Sequence, residues 1–181
     1  IEPFYGRNLR AFGYDMYSEP VRRLAMDRAV DTGRMALSGK VRLQQETGTD
    51  EQAGFLIYKA LFRQDQAHDT PAQRREQLLG WVYAPFRMSD FMRGLLGEQA
   101  QDLQIDIYDG AATSPQALMY GEDLEGGQEV PATYESMQRL SLMGHGWTLR
   151  IRANPSLLHR IESRLPATLA LGLATLSLIL G

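Results

Sequence analysis

The first residue of this chain to raise a chemical question is an acid set among aromatics. Asp15 stands in FGYDMYSEP between Tyr14 and Met16, with Tyr17 following, immediately before an amphipathic stretch. A carboxylate there can accept hydrogen bonds from a bound molecule. It can also serve the chain itself, as a local cap or as an ion-pair partner of Arg10 or Arg22. A buried carboxylate must be paired or hydrogen-bonded in either case, so spacing alone leaves both readings open. Four aromatics on apolar runs, Phe55, Tyr58, Trp81 and Tyr83, offer the walls that a small-molecule pocket places around a few polar groups. Taken singly, each reads first as ordinary core.

Catalysis finds no support. There is no phosphate loop, dinucleotide fingerprint, zinc-protease helix or nucleophile elbow. The three histidines are scattered and none has a carboxylate at ligand spacing: His68 lies in a polar insertion, His145 between two glycines and His159 near the C-terminal apolar run. His145 reads as part of an exposed hairpin turn, because flanking glycines punctuate turns. Glu122, Asp123, Glu125 and Glu129 read as a solvated acidic loop, since the ligand spacing of a calcium loop is lacking. The sequence therefore predicts no catalytic residue, no metal and no cofactor. A net charge of −3 argues against a nucleic-acid partner, which would need a basic face. Zero cysteines exclude disulfides and thiolate metal sites. That composition fits a bacterial extracytoplasmic domain.

The elements that must position these residues follow from periodicity. Residues 18–33 predict a helix, with Ser18 as N-cap, Pro20 in the first turn and Gly33 just past the end. Val21, Leu24, Ala25 and Ala29 share its apolar face, and Arg22, Arg23 and Asp27 point away. Val41 and Leu43 alternate with polar neighbours, as in a strand with one buried face. Residues 54–62 read as a central strand and residues 63–77 as a surface insertion. Residues 78–86 read as another strand, whose Pro85 marks an end or an edge. Ser89 caps a second helix, with Phe91, Met92, Leu95 and Leu96 packing inward. Residues 103–110 alternate cleanly into an Asp109-Gly110 turn, residues 117–121 form a short strand, and residues 137–155 form two strands joined through Gly144-His145-Gly146. The pattern predicts an α/β (α+β) fold of mixed or antiparallel sheets with flanking helices.

The ends carry a further expectation. The chain opens on Ile1-Glu2-Pro3 and reads as the interior of a longer protein. Residues 165–181, LPATLALGLATLSLILG, hold no charged residue. A bilayer-spanning helix needs about 20 apolar residues, so this run predicts the start of a transmembrane helix. A short helix over 154–164 would lead into it.

In order, FGYDMYSEPVRRLAMDRAVDTG, ALSGKVRLQQE, GFLIYKALF, LLGWVYAPFRMSDFMRGLL, LQIDIYDG and a Trp-containing strand before an apolar helix resemble a CHASE domain. That family supplies the extracytoplasmic sensor of membrane-bound histidine kinases, nucleotide cyclases and phosphodiesterases, and the resemblance runs over residues 1–153. It implies PAS-like subdomains, a homodimer, and a bacterial inner-membrane receptor with this domain in the periplasm. In the related plant cytokinin receptors an Asp before the helix and a Leu on the next strand contact the hormone. The matching positions look like Asp15 and Leu37. The implied function is sensing of a small molecule, an adenine derivative included, and transmission of a conformational change across the membrane by a segment that is not itself an enzyme. The alternative is a module that senses a protein partner or serves as a dimerisation spacer.

Overall fold

Apolar side chains on both sides of GFLIYKALF set the architecture. In the computed structural model, which describes residues 3–46, 48, 51–96, 103–121 and 135–153, this run is strand β2 (Gly54–Phe62). It lies between β1 (Ala36–Leu37) and β3 (Leu78–Arg87) in an antiparallel sheet. Successive side chains of a strand point to opposite faces. Leu56, Tyr58 and Ala60 therefore enter one core and Phe55 another. A strand buried on both faces has no polar side to alternate with, which is why its sequence is nearly continuously apolar. Pro85 is tolerated because, among the described residues, β3 pairs only with β2, leaving an edge where no ladder donor is needed.

Helix α1 (Pro20–Thr32) covers the first face. Its buried stripe is Arg22, Ala25, Met26, Ala29 and Val30, a run at helical spacing rotated from the predicted face. Arg22 is buried rather than solvated, while Leu24 is 65% exposed. The N-cap is Glu19, whose carboxylate accepts from the N–H groups of Val21 and Arg22. Ser18 instead closes a short 3-10 turn, Met16–Ser18. Gly33 takes the left-handed conformation at φ 66° that ends a helix cheaply.

The second face meets α3 (Met88–Leu96) and a four-stranded antiparallel sheet. Its order is β5 (Leu118–Tyr120), β4 (Leu103–Asp109), β7 (His145–Ala153) and β6 (Glu135–Leu142). Phe55 stacks on Phe86 at 5.0 Å and meets Trp147 edge-on at 5.1 Å, which joins the two sheets. Ser89 does not cap α3. Gln52 does so from a distance, its Oε1 accepting from the N–H groups of Ser89 and Asp90. Leu95 is exposed rather than packed inward.

Two further expectations are corrected, and the surface insertion gains a helix. Val41 and Leu43 are buried as predicted, but Val41 makes only an isolated bridge to Gly54, so this is an apolar loop rather than a strand. The 63–77 insertion contains α2 (Pro71–Glu76), opened by a Thr70–Gln73 capping box. The tight turn of the β6–β7 hairpin is Met143–Gly144, both at positive φ, as a two-residue type I′ connection requires. His145 thus begins β7 and pairs with Leu142. The acidic run 122–134, the 154–164 segment and the apolar 165–181 segment lie outside the described residues. Among the described residues no helix is long and apolar enough to cross a membrane.

Candidate functional site

Arg22 lies at the centre of the site. It is 1% exposed, and a buried charge must be compensated. One guanidinium nitrogen donates to the Arg42 carbonyl at 2.8 Å and another contacts Met16 Sδ at 2.9 Å. The Tyr14 ring lies over the guanidinium at 5.0 Å, a cation–π contact, and the Glu19 carboxylate stands 3.8 Å from Nε. That is too long for a hydrogen bond, so Nε is left with no hydrogen-bond partner among the described residues.

Tyr58 reaches the same core from β2 and is fully buried. Its ring packs on Tyr83 at 5.8 Å, and its hydroxyl likewise has no partner among the described residues. Burial pushes the Tyr58 phenol well above its ordinary value, with the Arg22 charge opposing. It therefore stays a neutral O–H able to donate or accept. Two buried, unmet polar atoms on one core face each cost the desolvation of an unmade bond.

Asp15 caps the short turn beside this cluster. Its Oδ1 accepts from the Tyr17 N–H at 2.9 Å and its carbonyl from the Ser18 hydroxyl at 2.7 Å. The side chain is exposed, and among the described residues it pairs with neither Arg10 nor Arg22. Trp81, on the same face as Tyr58 and Tyr83, lines a hollow of about 280 Å³ with Tyr17, Asp27 and Arg75. The polar groups of that hollow are already satisfied. Tyr17 donates to Asp27 at 2.8 Å, Arg75 pairs with Asp31 at 2.7 Å, and Trp81 Nε1 donates to the Met26 carbonyl at 3.0 Å.

The predicted pocket residues therefore divide. Tyr14, Tyr58, Trp81 and Tyr83 share the α1 side of the sheet, with Asp15 at its rim. Phe55 and Leu37 pack into the opposite core, and the Leu37 N–H is taken by the Met143 carbonyl at 3.3 Å. Arg22 was missed as a site residue. Its signal lay in the spacing, because it falls three, four, seven and eight residues before the buried Ala25, Met26, Ala29 and Val30.

The family model of the CHASE domain matches residues 1–120. The chain belongs to the CHASE domain family. CHASE domains are extracytoplasmic sensor domains of membrane receptors and are not catalytic, so the segment is a sensor rather than an enzyme. The matched residues contain the Arg22 cluster and Asp15. None of the curated proteins matches the sequence.

Proposed function

We propose that this CHASE domain binds a small molecule on the α1 face of its first sheet, anchored by Arg22 and Tyr58. The observation that carries the reading is that, of the buried side-chain atoms with no hydrogen-bond partner among the described residues, Arg22 Nε and Tyr58 Oη share one core face, the others being Asp106 Oδ1, Trp147 Nε1 and Arg152 Nε. Both can donate, so they suit a ligand with a ring nitrogen or carbonyl acceptor. Tyr14 and Tyr83 supply aromatic contact for a planar body. An adenine derivative has both features, and Asp15 at the rim would accept from an exocyclic amine. Trp81 extends the wall toward the neighbouring hollow, and Phe55 and Leu37 act through the core behind the sheet.

The receptor reading places the domain in the periplasm of a bacterial inner-membrane receptor, PAS-like in its subdomains and acting as a homodimer. The 165–181 run would be the start of the transmembrane helix. Binding would shift the receptor between two conformations by its differential affinity for them, and a kinase, cyclase or phosphodiesterase would be the output. A thermal-shift panel tests the ligand step, using adenine, N6-substituted adenines, amino acids and small organic acids. A ligand at 100 times its Kd adds about 2.7 kcal/mol of stability. A hit lost in Tyr58→Phe supports the reading. No hit across the panel favours a protein-sensing or spacer module instead.

A further inference from the structure

We propose that the seam between α1 and the β6–β7 hairpin is a second binding site, for a short monocarboxylate. A hollow of about 270 Å³ opens there, lined by Val21, Leu24 and Leu37 and by Arg28, Asp109 and His145. It joins the two sheets, since α1 and Leu37 belong with the first and Asp109 and His145 with the second. It uses neither Arg22 nor Tyr58, so it stands apart from the function proposed above. His145 lies beyond the residues that match the family.

The charges in the hollow are unequal in their satisfaction. Asp109 Oδ1 is 2.6 Å from His145 Nε2, and its Oδ2 accepts from the Lys40 N–H at 2.9 Å. Burial pushes the Asp109 carboxyl up, but the bonds from His145 and Lys40 outweigh it and hold the group below the usual carboxylate range. Asp109 is thus an internally satisfied anion. Arg28 is half-buried and, among the described residues, its guanidinium makes no hydrogen bond or ion pair. Its stem is set by the hairpin turn: a Cβ at Gly144 would fall 2.7 Å from Arg28 Cδ. Among the described residues the hollow therefore presents one guanidinium without a hydrogen bond or ion pair, beside apolar walls and the already bonded Asp109. A carboxylate matches that cation through paired N–H···O bonds, and a short aliphatic tail matches Val21, Leu24 and Leu37. The volume lies just under the usual range of about 300–1,000 Å³ for ligand pockets, which selects a small acid.

The test is isothermal titration of the chain with butyrate and with butyramide, its uncharged counterpart. The expected result is saturable butyrate binding, with butyramide weaker by about tenfold or more. Arg28→Gln should lose about tenfold in butyrate affinity and Tyr58→Phe none. Leu24 is exposed, so Leu24→Trp leaves folding intact while filling the mouth of the hollow, and it should block butyrate even if Arg28→Gln fails to fold. Equal binding of acid and amide, unchanged butyrate affinity in Arg28→Gln or Leu24→Trp, or no saturable binding of formate through hexanoate up to about 10 mM would overturn the site.

Discussion

Arg22 holds a position that a charged residue seldom keeps, inside a stripe of alanine, methionine and valine and next to a fully buried tyrosine. Two predictions belong to this scale. Tyr58→Phe removes a hydroxyl that has no partner among the described residues. It should leave the unliganded domain as stable or stabilise it by about 1 kcal/mol, measured by urea unfolding. Arg22→Ala should destabilise it by about 3 kcal/mol, because the cation–π contact, the packed stem and the bond to the Arg42 carbonyl all go. The Asp109 carboxyl gives a pH prediction. Its pKa is depressed in the folded state, so its contribution to stability is full above the unfolded value of about 3.9 and is lost as pH falls through the native value. Asp109→Asn should flatten that acid limb in denaturation followed from neutral to strongly acidic pH. Asp15 was legible as a residue worth asking about, and the turn it caps was a reading the sequence left open. Arg22 was passed over because its charge argues for solvent, although its spacing to Ala25, Met26, Ala29 and Val30 carried the signal that it lies inward.

At the scale of elements, the long runs were readable and the joints were not. GFLIYKALF and the strand ending near Pro85 announced themselves by composition, and α1 by Pro20 and Gly33. The caps were misread because the capping groups were Glu19 and Gln52, the first one residue from the expected Ser18 and the second 37 residues from Ser89. A distant side-chain cap leaves no local signal. The hairpin was found, but its turn was placed one residue late. Glycines on both sides of His145 suggested the tip, whereas Met143 at φ 47° and Gly144 at φ 78° make it. A methionine in that region costs about 1 kcal/mol that asparagine largely avoids. Met143→Asn should therefore raise stability by about 0.5–1 kcal/mol in the same unfolding assay. A loss of stability would show that the Met143 side chain matters more than its backbone.

At the scale of the molecule, the described residues form two antiparallel sheets that meet at an aromatic joint, with α1 closing the outer face of the first. Phe55 occupies that joint, touching Phe86, Phe91 and Trp147. Phe55→Ala should cost about 3–5 kcal/mol, read as a lower urea midpoint. The antiparallel α/β class and the family were visible in the order of the runs. How the sheets meet was not, because contacts such as Leu37 to Met143 and Lys40 to Asp109 link residues 106 and 69 positions apart. The most direct test of the central claim is a calorimetric titration of a ligand found in the thermal-shift panel against wild type and Tyr58→Phe. The account predicts that binding falls by about tenfold or more in Tyr58→Phe while the variant stays folded. Equal affinity in the two proteins would contradict it and move the binding site away from Arg22 and Tyr58.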